Sequence, residues 1–261
     1  MTTYRIDLAY DGTGFYGYAR QDTVRTVQGE LEAALLPFTG PVATYVAGRT
    51  DRGVHAAGQV VSLTTDVEVD TARVVRSLNR RLGPEISVAT MVAVPDGFHA
   101  RFSAVGRAYR YLVIDGDTPD PFLARFAWHL GHRLDVGAMD RAAAVLIGEH
   151  DFASFCRQAG ERSTVRLVRT ARWERYRPDL VAFTVEASSF CHQMVRSVVA
   201  TCARIGRGAM PVESMADVLA GGDRALTPGP APPHGLTLLR VDYGRHTSDE
   251  THSEMRWLRL E

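Results

Sequence analysis

Hydrophobic and polar positions alternate from the start of the chain. In Y-R-I-D-L-A-Y, residues 4–10, Ile6 and Leu8 alternate with Arg5 and Asp7, which predicts a half-buried strand. A glycine-rich turn follows, and then the period changes: Val27, Leu31, Ala34 and Leu35 recur at helical spacing and predict a helix near 26–37. Strand-like stretches near 42–47 and 58–64 come next. Val74, Val75, Leu78 and Leu82 predict a second helix, capped by Asp70 or Thr71 and ended by Gly83-Pro84. A strand near 86–94 completes this pass.

The same order then repeats. A strand at 107–114 is followed by a proline-containing loop, a helix near 136–147, strands near 166–174 and 181–187, and a helix at 190–205. A shorter helix near 212–220 and a Gly/Pro-rich loop at 221–235 lead to a last strand, 236–243. Two β-α-β-β-α-β-like passes predict an α+β protein of two ferredoxin-like halves with mixed, largely antiparallel sheets. The expected boundaries are 1–104 and 105–245, with a tail, 246–261, that shows no clear periodicity and is expected to be mobile.

Composition narrows the class. Hydrophobic content of 45% and charged content of 23% are those of a soluble globular protein, and no apolar run is long enough to span a membrane. The opening residues lack a signal-peptide layout, and Cys156, Cys191 and Cys202 form no pattern. Free thiols and a cytoplasmic location are the expectation. Thirty basic residues balance thirty acidic ones, and every basic residue is arginine. Without lysine, Schiff-base chemistry on that residue and a P-loop are excluded, and each permanent side-chain cation is a planar fork suited to carboxylate or phosphate. Seven arginines between Arg157 and Arg177 face only Glu161 and Glu174, a locally basic stretch compatible equally with an RNA partner or a solvated surface.

The densest chemistry lies in A-G-R-T-D-R-G-V-H, residues 47–55, where Asp51 sits between Arg49 and Arg52, with Gly53 and His55 behind it. Such a carboxylate on a turn suits a nucleophile, a base or a well-paired structural acid. Arg196 borders the apolar stripe of the 190–205 helix and needs an anion there, for which Asp51 and other carboxylates compete evenly. Arg107, Tyr109 and Tyr111 share one strand face and Arg110 lies on the other; stacking on a base and holding phosphate compete with plain cross-strand packing. His99 and Arg101 carry the same ambiguity.

Other chemistries find less support. Gly12, Gly14 and Gly17 spell G-x-G-x-x-G, but no helix begins there, so a dinucleotide site is rejected. The nine histidines and three cysteines lack metal-ligand spacing, and no G-x-S-x-G elbow exists. A carboxylate-based glycoside hydrolase needs a second acid; Asp66 or Glu68 would have to serve, and no motif supports either.

Taken together, Y-D-G-T-G-F-Y-G (10–17), V-Q-G-E-L (27–31), A-G-R-T-D-R-G-V-H-A-x-G-Q-V (47–60), F-H-A-R-F-S-A (98–104), R-x-Y-R-Y (107–111), D-F-x-S-F (151–155), F-C-H-Q-M-V-R (190–196) and G-L-T-L-L-R-V-D-Y (235–243) resemble the tRNA pseudouridine synthase A family. The resemblance implies two sheet-bearing halves around a central active-site cleft, and isomerisation of flipped-out uridines in the anticodon stem-loop of tRNA, positions 38–40. It implies Asp51 as the catalytic nucleophile, Tyr109 as the tyrosine stacked on the base, and Arg196 as the aspartate's partner. Leu236 then packs against the target ring and Arg49 helps to turn the nucleotide out, with Arg101, Arg107 and Arg110 as further RNA contacts. A homodimer with no metal and no organic cofactor is implied as well. Two departures stand out: Tyr18-Ala19 replaces the family's Trp-Gln, and any phosphate contact made by lysine in relatives must be arginine here or missing. Arg52 receives no role. An RNA-binding protein that has lost catalysis is the rival reading, against which Asp51, Tyr109 and Arg196 stand together.

Overall fold

The computed structural model describes residues 1–157 and 163–244. In chain order it holds β1 (Thr2–Tyr10), α1 (Val27–Thr39), β2 (Tyr45–Val46), β3 (His55–Thr65), α2 (Thr71–Leu82) and β4 (Ile86–Val94). Then come β5 (Gly106–Ile114), β6 (Trp128–His129), α3 (Val136–Ala144), β7 (Gly148–Asp151), β8 (Val165–Arg177) and β9 (Leu180–Ala187). Helices α4 (Met194–Gly206) and α5 (Ser214–Gly221) and strand β10 (Leu236–Asp242) follow. The class is α+β. The chain divides into two compact units, Met1–Val105 with the chain from Leu238 on, and Gly106–Thr237. The expected mobile tail lies outside the described residues.

In the first unit β1 lies between β4 and β3, antiparallel to both, and β2 pairs antiparallel with β3. The order β4-β1-β3-β2 is that of a ferredoxin-like sheet. β1 is buried on both faces, and Ile6 and Leu8 are core residues, as are Leu31 and Leu35 of α1 and Leu78 of α2. The helices start where their caps place them: Thr26 Oγ1 accepts from Gly29 N–H (3.2 Å), and Asp70 Oδ1 accepts from Arg73 N–H (2.9 Å). Of the two candidate caps on α2, Asp70 is the one used.

In the second unit the strands run β5-β9-β8-β7, antiparallel throughout, with β6 added parallel to β5. The sequence β5-α3-β8-β9-α4 repeats the strand–helix–strand–strand–helix order, and β7 extends the edge. Phe183 of β9 stacks on Trp173 of β8 (5.1 Å between centroids) above a core that includes Phe152, Phe155 and Val198. None of the described helices is long and apolar enough to cross a membrane.

Three expectations change. The helix predicted at 190–205 begins only at Met194, because Gln193 takes a left-handed backbone (φ +66°) and residues 190–193 form the approach to it. Cys156 and Cys191 are joined as a disulfide, Cα atoms 5.7 Å apart, so the expectation of three free thiols holds only for buried Cys202, whose thiol burial pushes up to about 12. No spacing rule reveals a bridge between residues 35 apart in an unpatterned set. The basic stretch is partly paired, with carboxylates on four of its seven arginines. Arg169 pairs with Glu186 (3.9 Å), Arg172 with Glu174 (3.2 Å), Arg175 with Asp115 (2.7 Å) and Arg177 with Asp120 (3.2 Å).

Candidate active site

Asp51 stands half-buried in the loop between β2 and β3, on a turn closed by the Val54 N–H donating to the Asp51 carbonyl (3.1 Å). Gly53 supplies the left-handed step behind it, φ +77°. The residue before the aspartate is fixed twice. The Thr50 hydroxyl hydrogen-bonds the Tyr10 hydroxyl (2.7 Å), and the Thr50 carbonyl accepts from the Tyr18 N–H (3.0 Å). Gln59 Nε2 donates both to the Tyr10 oxygen (3.2 Å) and to the Gly48 carbonyl (2.8 Å), tying the other end of the turn to β3. Burial pushes the Tyr10 phenol up to about 12, against the pull of its bonds to Thr50 and Gln59, so it remains a protonated fastener.

Two of the three glycines of G-x-G-x-x-G pack against this turn. A Cβ on Gly12 would stand 2.1 Å from the Val54 carbonyl oxygen. Gly17 has φ +94°, and its Cβ would meet the Thr50 oxygen at 3.0 Å. The first loop therefore lies backbone to backbone on the Asp51 turn, and the Gly12 N–H donates to His55 Nδ1 (3.0 Å) just beyond it. Arg52 acquires a place too, its guanidinium 4.2 Å over the Tyr16 ring. Tyr18, at the departure from the family's Trp-Gln, is wholly buried, its centroid 6.2 Å from that of Tyr10.

The other predicted residues of this unit lie nearer the surface. Arg49 is exposed on the same turn. Arg101 is exposed, its guanidinium 5.5 Å from the Phe102 ring, and its N–H donates to His99 Nδ1 (3.1 Å). His99 sits between the rings of Tyr45 (4.8 Å) and Phe102 (4.5 Å), a ring-stacked turn residue.

Tyr109, Arg107, Arg110, Arg196 and Leu236 belong to the second unit. On β5, Tyr109 is 8% exposed, opposite Val185, and meets Phe190 edge-on at 5.0 Å. Arg107 donates to the Ser188 carbonyl (3.0 Å); Arg110 donates to Thr184 Oγ1 (3.3 Å) and lies 5.4 Å over the Tyr176 ring. Arg196, in the first turn of α4, makes a reciprocal pair with Ala231: its Nε donates to the Ala231 carbonyl (2.7 Å), and the Ala231 N–H donates to the Arg196 carbonyl (3.0 Å).

A residue to which the family resemblance gave no separate role completes this group. Tyr111, two positions along the same face of β5 as Tyr109, donates its hydroxyl to the Pro232 carbonyl (2.7 Å). Its ring fills the space a Cβ on Gly235 would need, at 2.5 Å. Burial drives the Tyr111 hydroxyl far above its ordinary pKa, opposed only by the nearby charge of Arg196, so it stays a donor. Arg196 and Tyr111 together hold residues 231–235, which lead directly into Leu236, itself 6% exposed. Among the described residues no three or more His, Cys, Asp or Glu side chains gather as a metal would require.

The family model described as tRNA pseudouridine synthase matches residues 8–103 and 142–244, spans that contain Asp51, Arg196 and Leu236 while Tyr109 falls between them. A tRNA pseudouridine synthase A from Roseiflexus castenholzii is 43% identical over 247 residues, covering 93% of this chain and 91% of the relative. Proteins of the same name from Listeria monocytogenes (39% identical; 93% of this chain, 100% of the relative) and Frankia casuarinae (43%; 92% and 88%) are similar throughout. Among solved structures, a Cbf5-Nop10-Gar1 complex reaches a TM-score of 0.38 with 14% identity over 94% of this chain and 50% of that one, a likeness too slight to build on.

Proposed function

Because the chain belongs to the tRNA pseudouridine synthase family, a family of isomerases, we propose that it converts uridine to pseudouridine in the anticodon stem-loop of tRNAs with Asp51 as the nucleophile. The observation that carries this reading is the fastening of the Asp51 turn through Thr50, Gly48, Gly12 and Gly17. A carboxylate that must reach one atom of an extruded nucleotide gains from a backbone that does not move. The reaction exchanges the base's N–C link to ribose for a C–C link and relocates one ring proton, so atoms balance within the substrate. Tyr109 stacks on the target base and is suited to the proton transfer, Arg196 supplies the cation that steadies Asp51, and Leu236 packs against the ring. Exposed Arg49 assists extrusion of the nucleotide, a step that costs a few kcal/mol of unstacking. Arg101, with its guanidinium beside Phe102, is the best placed of the remaining arginines for an RNA contact, whereas Arg107 and Arg110 are engaged on their own sheet. The enzyme acts in the cytoplasm as a homodimer, which light scattering on the purified protein checks.

The decisive experiment maps pseudouridine in an unmodified tRNA transcript after incubation with wild type, Asp51→Asn and Arg196→Met. Wild type forms pseudouridine in the anticodon stem-loop, Asp51→Asn forms none, and Arg196→Met loses turnover by at least about a hundredfold, on the scale of removing an electrostatic partner of the reacting centre. Product from Asp51→Asn, or none from wild type on any tRNA, would overturn the assignment.

A further inference from the structure

Three arginines from separate stretches of the second unit converge on the start of α4. Arg224 donates from one η nitrogen to Ser197 Oγ (3.1 Å) and from the other to Gln193 Oε1 (3.1 Å). Arg196 belongs to the same helical turn. Arg157 is tied in by its N–H, which donates to the His192 carbonyl (2.9 Å). Arg224 is not loosely placed. Its turn is capped by Asp223, whose Oδ1 accepts from the Ala225 N–H (2.8 Å), and is anchored by Thr227 Oγ1, which donates to the Arg224 carbonyl (2.9 Å) and to the Ser154 carbonyl (3.2 Å).

Arg169, Arg172, Arg175 and Arg177 are each matched with a carboxylate. Arg224 is held only by neutral acceptors, and among the described residues neither it nor Arg157 makes an ion pair. The nearest acid in sequence, Asp223, is spent on its own turn. Burial together with the charges of Arg157 and Arg196 lowers the Arg224 pKa, the mark of like charges crowded together. Holding Arg224 beside two like charges on neutral side-chain acceptors is costly unless an anion arrives.

Resting on the reading of the chain as a tRNA-modifying enzyme, we propose that Arg157, Arg196 and Arg224 form a subsite for one backbone phosphate of the RNA, adjacent to the target uridine. A planar guanidinium fork matches the oxygens of a phosphate diester, and three of them lie near one another here. Because Arg196 is also the residue assigned to the reacting centre, the phosphate it shares with Arg224 is one flanking the extruded nucleotide. An enzyme that turns a nucleotide out of its stack needs such a hold on the neighbouring backbone. This gives Arg157 and Arg224 tasks that no motif in the chain announced.

The test measures binding of an unmodified anticodon stem-loop RNA against salt concentration for wild type, Arg224→Gln and Arg157→Gln. Each variant weakens binding about tenfold at moderate salt, the loss of one charge-assisted contact. Each also reduces the slope of log K against log salt by about 0.7–0.9, the signature of one lost phosphate contact, which a merely structural arginine would not change. A stem-loop with a single uncharged methylphosphonate beside the target uridine weakens wild type at least as much and weakens Arg224→Gln by less, since one of its contacts to that phosphate is already gone. If Arg224→Gln unfolds, exposed Arg157 carries the same measurement. Unchanged slopes in both variants, with wild type active, overturn the subsite alone; an inactive wild type that does not bind the RNA overturns the underlying function instead.

Discussion

Gly12 shows how much of the geometry around Asp51 rests on atoms that are absent. Its missing Cβ leaves room for the Val54 carbonyl, 2.1 Å from where that carbon would sit, and the contact is to backbone, which cannot swing aside as a long side chain would. Gly12→Ala must therefore push the first loop off the Asp51 turn. The expected outcome is a loss of about 2 kcal/mol in urea unfolding, typical of overpacking, with pseudouridine formation reduced far more than that loss of folded protein accounts for. Gly40→Ala offers the contrast: it has a strained φ of +68° but nothing within 4 Å of its Cβ, so it costs stability without touching turnover. The G-x-G-x-x-G spacing was legible in the sequence. Its partner was not, since the distance from Gly12 to Val54 is set by how a loop and a turn meet in three dimensions.

At the scale of elements, the sequence reads well where a period is long and poorly where the chain changes direction. β1, α2, β4 and β5 fall within two residues of expectation because apolar spacing over nine to twelve residues is a strong signal. β6, with two residues, and β7, with four, are too short to establish alternation, and the left-handed backbone at Gln193 delayed α4 by several residues in a stretch whose composition suits a helix. The site shows the same division. Asp51, Tyr109, Tyr111 and Arg196 all stand in motifs, but the anchoring role of Tyr111 is not legible there, because its bond to Pro232 spans 121 positions. That bond joins β5 to the segment entering β10. Tyr111→Phe keeps the ring against Gly235 and removes only the donor, leaving the Pro232 carbonyl unpaired. Stability falls by about 1 kcal/mol, and kcat falls severalfold as Leu236 loses its fixed approach. Chemical denaturation and single-turnover kinetics on the same preparation check both halves; unchanged kcat would confine Tyr111 to a packing role.

For the molecule as a whole, thirty arginines against thirty acids with no lysine means that cation charge is permanent while every balancing charge can be titrated away. Asp115 marks where this matters most. Burial pushes its carboxyl up, but the bonds from Arg175 and the Leu134 N–H, with the charges of Arg175 and Arg133, outweigh that and hold its pKa below the usual carboxylate value. A depressed pKa in the folded state means that the unfolded chain binds protons first as pH falls. The stabilisation is therefore complete at neutral pH, begins to fade near the unfolded carboxylate pKa of about 4, and is gone once the pH passes below the folded value. Asp115→Ala leaves Arg175 beside an uncompensated pocket and costs about 3 kcal/mol at pH 7, the low end for a broken buried pair because Arg175 keeps 25% exposure. Urea unfolding at pH 7, 5 and 3 checks the sign: the gap between wild type and variant stays wide at pH 7 and 5 and narrows at pH 3. At that acidity added salt should restore stability to both proteins, since the force then opposing the fold is repulsion among unpaired guanidinium groups. A gap that persists undiminished at pH 3 would show that Asp115 stabilises the unit by packing and not by charge.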